Sequence, residues 1–187
     1  DTCPAADFRD VDEDAWYHEA VDYALDNGLM SGVSDREFAP GSTLTRAMVA
    51  QMLYSLEGKP AAGRADFADV AEGAWYADAI SWAAGEGIVS GYGDTFGPND
   101  PITREQLAAI LFRYTEYRGA DTAGRTDLSR FSDSAAVADY AREALAWAVS
   151  AGLLQGRSDG TLDPSGSATR AQTAVILQRL ETLLEKN

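Results

Sequence analysis

Residues 44–53 read Leu44-Thr45-Arg46-Ala47-Met48-Val49-Ala50-Gln51-Met52-Leu53, and variants of this stretch occur twice more in the chain, at 102–111 and 168–177. In each copy a Thr precedes an apolar run with helical spacing. The Thr hydroxyl can accept hydrogen bonds from the N–H groups of a first helical turn. Each copy therefore predicts the start of an α-helix.

An Arg follows the Thr in all three copies, as Arg46, Arg104 and Arg170. A cation at the first helical position is disfavoured by the helix dipole, by roughly 0.3–1 kcal/mol. Its repetition therefore indicates that something negative lies there. Free N–H groups beside a guanidinium form an anion site that suits a carboxylate or phosphate. The alternative is that each Arg pairs with an Asp or Glu of a neighbouring repeat, since the chain has 30 acidic residues.

Composition excludes several classes of partner. The chain has 187 residues and a net charge of −15, so we expect no attraction to nucleic acid or to an anionic membrane surface. No apolar run has the length of a membrane span, and no signal peptide is recognisable. The single Cys3 is expected to be an unpaired thiol in a frayed terminus, although pairing with another chain is the alternative.

Longer segments repeat as well, at steps of 59 and 64 residues. The sequence therefore predicts one three-lobed domain, residues 1–187, with repeats at 8–58, 67–118 and 131–184. The opening segments of the repeats are Phe8-Arg9-Asp10-Val11, Phe67-Ala68-Asp69-Val70 and Phe131-Ser132-Asp133-Ser134.

Within a repeat, an Ala-rich amphipathic helix ends at a Gly, a turn-rich loop follows, and a second helix begins at the Thr cap. Tyr23, Trp82 and Trp147 align in the first helices and are expected in the core. Gln106 and Gln172 can complete capping boxes, whereas Met48 cannot. A two-helix unit buries little core alone, so the second helices are expected to lie side by side around a pseudo-threefold axis. The fold class is all-α, and a linear solenoid is the competing arrangement.

These motifs resemble the S-layer homology (SLH) domain family over nearly all of residues 8–184. The resemblance rests on a Phe-x-Asp-Val opening, a Trp-Tyr pair, a Gly-containing turn, a Phe-x-Pro loop and the Thr-Arg helix start. It implies a bacterial cell-surface module in which three tandem helix-loop-helix repeats form a spindle around a central three-helix bundle. It also implies interlobe grooves that hold secondary cell-wall polysaccharide, often capped by pyruvylated N-acetylmannosamine, and an attached surface-protein cargo.

The resemblance further implies site residues. The motif Arg that contacts the acidic sugar corresponds to Arg46, Arg104 and Arg170. The groove aromatic corresponds to Trp16 and Trp75, with Tyr140 replacing Trp in the third repeat, although core packing is an equal alternative for both Trp residues. Because the third copy departs most from the pattern, the grooves of copies one and two are favoured. The loop glycines correspond to Gly32, Gly91 and Gly156.

The sequence contains few of the residues that a catalytic site would need. His18 is the only histidine, so His/Cys nucleophilic machinery and zinc sites lack parts, and no cofactor is expected. Asp10, Asp12 and Asp14 alternate as in a calcium loop, but Ala15 replaces the turn Gly. The favoured function is a non-catalytic anchor that binds an acidic wall polysaccharide. The alternatives are a structural or protein-interaction domain that has lost sugar binding and, least favoured, a glycosidase.

Overall fold

The computed structural model describes residues 2–186 and contains six α-helices, two in each repeat. No β-strand occurs in that range, only isolated β-bridges, so the predicted all-α class is confirmed. The helices are α1 (His18–Asp26), α2 (Arg46–Leu56), α3 (Ala77–Gly85), α4 (Arg104–Tyr117), α5 (Asp139–Ser150) and α6 (Arg170–Glu185).

Helices α2, α4 and α6 begin at the Thr caps that the sequence predicts. The hydroxyls of Thr45, Thr103 and Thr169 each accept a bond from the backbone N–H three residues later. Gln106 and Gln172 complete their capping boxes as predicted. The prediction for Met48 was wrong, because its thioether sulfur accepts from Thr45 N–H at 3.5 Å. Sulfur is a weak acceptor, so this box is closed by the weakest of the three contacts.

The first helix of each repeat packs against the second helix of the preceding repeat. Helix α3 contacts α2, α5 contacts α4, and α1 contacts α6 at the other end of the chain. Isolated β-bridges join the repeats in the same circular order: Thr45 with Pro101, Thr103 with Ser167, and Thr43 with Thr169. The third repeat therefore closes on the first. An open linear solenoid cannot make these contacts, which leaves the ring-like arrangement as the one observed.

The core includes parts of the loops as well as the helices. Phe38, Phe96 and Leu162, one from each loop, are almost completely buried. The Asp of each opening motif fastens this loop residue, since Asp69 accepts bonds from the N–H groups of Phe96 and Gly97 at 2.8 Å each. Asp10 and Asp133 do the same in their own repeats. The loops are therefore rigidly placed, which matters because they line the candidate site.

The aromatic residues predicted for the core are found there. Trp82 and Trp147 are almost fully buried, and Tyr23 packs partly buried against the same core. Burial, together with the neighbouring carboxylate of Glu181, raises the pKa of Tyr23.

The chain start is more ordered than the sequence predicts. Pro4–Asp7 forms a 3₁₀-helix against α1, and the N–H of Ala5 donates to Asp22 at 2.9 Å. Cys3 Sγ lies 3.3 Å from His18 Nε2, so the expectation of a frayed end was wrong. Between residues 2 and 186, no helix has both the length and the apolar character needed to cross a membrane.

Candidate functional site

The three motif Arg side chains cross from one repeat to the next. Arg46 Nε donates to the carbonyl of Phe96 at 3.0 Å, and its Nη2 donates to the carbonyl of Ser90 at 2.8 Å. The guanidinium also lies over the ring of Phe96, with Cζ 4.5 Å from the centroid. Arg46 of the first repeat is thus held by the loop of the second repeat.

Arg104 and Arg170 repeat this geometry. Arg104 bonds the carbonyls of Leu162 and Gln155 at 2.8 and 2.7 Å, and Arg170 bonds those of Phe38 and Ser31. All three side chains are only 5–7% exposed. Burial lowers the pKa of Arg104 and Arg170, because desolvation disfavours the charged form.

The partners of these guanidinium groups are carbonyls, and within residues 2–186 none of the three forms an ion pair with a carboxylate. The proposed pairing with an acidic residue is therefore not what the structure shows. Carbonyls fix the orientation of a guanidinium without neutralising its charge. No hydrogen bond involves the Nη1 groups of these residues in the described chain. Those donors remain for another acceptor.

The backbone amides at the helix starts are not free, contrary to the sequence prediction. The N–H groups of Arg46 and Ala47 donate to the carbonyls of Asp100 and Pro98, and the third amide donates to the Thr cap. Any anion bound here must therefore be held by side chains and not by the helix N-terminus. The corresponding acceptors are Gly166 and Pro164 for α4, and Ser42 and Pro40 for α6.

Two cavities lie beside these Arg residues. The cavity at Arg104 has a volume of about 470 Å³ and is bordered by the loop of residues 153–159, one face of α6 and Trp16. The cavity at Arg46 has about 420 Å³ and is bordered by the loop of residues 89–92, one face of α4 and Tyr140. Both volumes fall in the range of small-molecule sites, about 300–1,000 Å³. We refer to these as the Arg104 groove and the Arg46 groove.

Each groove takes parts from all three repeats. The Arg46 groove combines an Arg of the first repeat, a loop and helix of the second, and Tyr140 of the third. The Arg104 groove uses the same parts displaced by one repeat around the ring, ending on Trp16. The equivalence of the repeats pairs Trp75 with Arg170 at a third position, which is assigned from that equivalence and not from a cavity, and which we call the Arg170 groove. A preference for grooves built from copies one and two was therefore misplaced, because no groove lacks the third repeat.

The groove aromatics are exposed. Trp16, Trp75 and Tyr140 are 68%, 60% and 56% exposed, so the alternative that the two Trp residues belong to the core was wrong. Each Trp stands edge-on against the following Tyr, with ring centroids 5.0 Å apart. The Trp faces are thereby held in place and open to a flat apolar surface.

The loop glycines have a packing reason to be Gly. A Cβ on Gly91 would overlap the ring of Phe67 and lie 2.6 Å from the carbonyl of Thr95. Gly32 and Gly156 meet the Phe of their own repeats in the same way. Gly91 and Gly156 also border the Arg46 and Arg104 grooves. Without a side chain at these glycines, the loop backbone can pack closely against the Phe ring. A larger residue would push the loop away from its position beside the groove.

Sequence reasoning missed several groove residues. Arg113 borders the Arg46 groove, and Arg179 and Arg157 border the Arg104 groove. Arg113 and Arg179 each follow the motif Arg of their own helix by nine residues, a signal that aligning the repeats would have exposed. Gln106 also contributes, since its Nε2 donates to the hydroxyl of Tyr92 at 3.0 Å.

The chemistry of the grooves is that of binding. They offer fixed cations, aromatic faces and amide groups, a combination that suits an acidic saccharide. Across residues 2–186, no group of three or more His, Cys, Asp or Glu side chains is arranged to hold a metal ion.

Comparisons with known proteins agree with the repeat structure. The sequence profile of the S-layer homology domain matches residues 7–48, 66–108 and 130–174. An amylopullulanase of Thermoanaerobacterium thermosulfurigenes is 35% identical over 96% of this chain and 10% of its own length. The surface-layer 125 kDa protein of Lysinibacillus sphaericus is 34% identical over 94% of this chain and 15% of its own length. The S-layer protein sap of Bacillus anthracis is 27% identical over 93% and 21%, respectively.

The chain therefore spans between a tenth and about a fifth of the length of these relatives. It matches surface-layer proteins over nearly its whole length, and it matches in the same way proteins named as enzymes. What these relatives share with it is the three-repeat module itself. The chain belongs to the S-layer homology domain family, and it is a non-catalytic module of the bacterial cell surface that anchors proteins to the wall layer.

Proposed function

We propose that this chain anchors a surface protein by binding an acidic secondary cell-wall polysaccharide in its interlobe grooves, with pyruvylated N-acetylmannosamine as the sugar recognised. The cargo is a larger protein to which the chain is joined, as its small share of each relative's length suggests. The observation that carries the proposal is a buried Arg at each of two open cavities, fixed by carbonyls and, among the described residues, in no ion pair with a carboxylate.

The hydrogen bonds of the Arg104 guanidinium support the proposed sugar binding. Nε and Nη2 of Arg104 are bound to carbonyls, so the side chain is oriented before a ligand arrives. A preorganised donor loses little conformational entropy on binding. Nη1 is left to donate to a carboxylate such as that of a pyruvyl ketal, and Trp16 offers a face for the apolar side of the sugar ring.

Calorimetric titration tests the proposal directly. The ligand is the methyl glycoside of 4,6-O-pyruvyl-N-acetylmannosamine, and the control ligand is the same glycoside without the ketal. We expect saturable heat with the ketal only. The absence of heat from the ketal at millimolar concentration would contradict the proposal.

Groove variants locate the binding. Trp16→Ala and Tyr140→Ala remove exposed groove aromatics, whereas Tyr117→Ala removes an exposed aromatic that borders neither groove. An aromatic contact worth about 0.5–1.5 kcal/mol corresponds to roughly a 2- to 12-fold loss of affinity. We expect that loss at the altered groove in the first two variants and none in Tyr117→Ala.

One observation favours a second candidate function. The carbonyl contacts of the three Arg residues join repeats, so these residues would also be needed in a structural or protein-interaction domain without sugar affinity. Unchanged folding with no heat from any acidic saccharide supports that second function.

A further inference from the structure

We propose that the grooves are not equivalent: the Arg46 and Arg104 grooves bind a saccharide segment with acidic groups on two adjacent sugars, and Arg113 and Arg179 determine that specificity. The Arg170 groove, which lacks the second Arg, binds the same segment weakly. This inference rests on the proposed function, since it takes the same grooves as the binding sites and specifies the ligand charge that two of them select.

The second cation occupies one equivalent position of the second helices. Arg113 on α4 borders the Arg46 groove, and Arg179 on α6 borders the Arg104 groove. The equivalent residue on α2 is Ser55. Two grooves therefore present two guanidinium groups from different repeats, and the Arg170 groove presents one.

These second cations are not neutralised within the protein. Neither Arg113 nor Arg179 takes part in an ion pair in the described part of the chain. Arg179 is held at one point, where its Nη1 donates to the carbonyl of Gly152 at 3.2 Å. Both residues therefore keep an unpaired positive charge at the edge of a cavity, which is the position from which a bound anion would be contacted.

The spacing along the groove sets the length of the ligand. Gln106 and Arg113 border the same groove, and the helix between them rises by about 10 Å. Gln106 bonds Tyr92, whose ring lies beside Arg46, so this cluster marks the end of the groove opposite Arg113. The two backbone positions are therefore further apart than one pyranose ring is wide. The two positive ends therefore fit negative groups on adjacent sugars better than two groups on one sugar.

The Arg104 groove carries an additional guanidinium that is already balanced. Arg157 borders it, but Nε and Nη2 of Arg157 donate to Asp163 at 2.9 and 2.8 Å. Burial lowers the pKa of Arg104 most, and the charge of Arg157 lowers it further, whereas Asp163 and Asp133 raise it. Asp159 also borders the groove, and its Oδ1 accepts bonds from Thr161. Arg104 and Arg179 are thus the cations left for a ligand.

Two of the four Trp residues allow the Arg104 and Arg170 grooves to be observed separately. In a chain labelled with ¹⁵N-Trp, the indole signal of Trp16 reports on the Arg104 groove. The signal of the exposed Trp75 reports, by repeat equivalence, on the Arg170 groove. The buried Trp82 and Trp147 show whether a variant has kept its fold.

The test compares two disaccharides in NMR titrations. Both carry pyruvylated N-acetylmannosamine, linked to glucuronic acid in one and to glucose in the other. In the unaltered chain, we expect the Trp16 signal to report roughly 1.5- to 5-fold tighter binding of the uronic disaccharide. The Trp75 signal should show little difference between the two ligands.

Substitutions at Arg179 and Ser55 should exchange the ligand preferences of the Arg104 and Arg170 grooves. Arg179→Ser should remove the preference reported by Trp16, and Arg179→Lys, which keeps the charge, should retain part of it. Ser55→Arg should create the preference at Trp75. Equal affinity for the two disaccharides at Trp16, or a preference that survives Arg179→Ser, would overturn this inference while leaving the proposed function intact. If neither disaccharide shifts the Trp16 signal, this inference is wrong for the Arg104 groove; if calorimetry also shows no heat from either disaccharide, the proposed function is wrong as well.

Discussion

Replacing Arg46 by Met should destabilise the domain substantially. The substitution keeps an unbranched side chain but removes the two donors that join the first repeat to the carbonyls of Phe96 and Ser90. Hydrogen bonds from a charged donor contribute about 1.5–3 kcal/mol each. Part of that is regained because the charge no longer has to be buried, so we expect a net loss of about 2–4 kcal/mol.

For a domain of this length, 1 kcal/mol shifts Tm by roughly 2–4 °C, so Tm should fall by about 4–16 °C. The measurement is thermal unfolding followed by circular dichroism and scanning calorimetry. Arg113→Met is the matched control, because it removes the same charge from the same groove and breaks no hydrogen bond described here. If Arg46→Met melts within about 2 °C of the unaltered chain, the carbonyl contacts do not hold the repeats together.

This expectation also changes how the Arg residues should be tested for binding. If these Arg residues served only the grooves, loss of Arg46 or Arg104 would weaken binding with little effect on the melting curve. Their burial at 5–7% exposure makes that separation unrealistic. Binding by such variants should therefore be measured well below their melting transitions, with the exposed aromatics as the primary test of the grooves.

Three further changes test the local structure. Met48→Gln should raise the free energy of unfolding, measured in urea, by about 0.5–1 kcal/mol, because an amide oxygen is a better acceptor than the thioether 3.5 Å from its donor. An unchanged free energy of unfolding would mean that the weak Met48 contact does not reduce stability. Gly91→Ala should lower Tm by several degrees, whereas Gly41→Ala, with open space around it, should not; equal melting would refute the packing argument. Backbone donors lower the pKa of Asp69, so its contribution to stability is present above the ordinary carboxyl pKa of about 4 and is lost as the pH falls below it. Asp69→Asn should therefore flatten the acid limb of the stability curve, and an unchanged limb would contradict this.

Features set by local sequence were predictable. The Thr caps, the Gln capping boxes and the glycines that end the first helices all depend on residues within a few positions of one another. Gly28, Gly87 and Gly152 indeed have φ values of 66°, 74° and 76°. Helical spacing likewise placed Trp82 and Trp147 in the core.

Features set by contacts between repeats were not predictable in the same way. Spacing identifies the apolar face of a helix but not the helix it meets, and three similar repeats offer three similar partners. The packing of each first helix on the preceding repeat was therefore missed. The occupied amides at the helix starts were missed for the same reason, since their acceptors lie in the next loop.

The closed ring explains how one Arg can both stabilise the fold and serve a binding groove. A carboxylate partner would hold Arg104 as firmly as the carbonyls of Leu162 and Gln155 do, but it would cancel the positive charge. Carbonyl dipoles fix the group and leave its charge to act on the adjacent cavity. The next repeat supplies those carbonyls, and the repeat after that supplies the aromatic face. Arg46 and Arg104 are fixed by contacts that run forward along the chain, whereas closure of the third repeat on the first is needed to fix Arg170 and to bring Trp16 to the Arg104 groove.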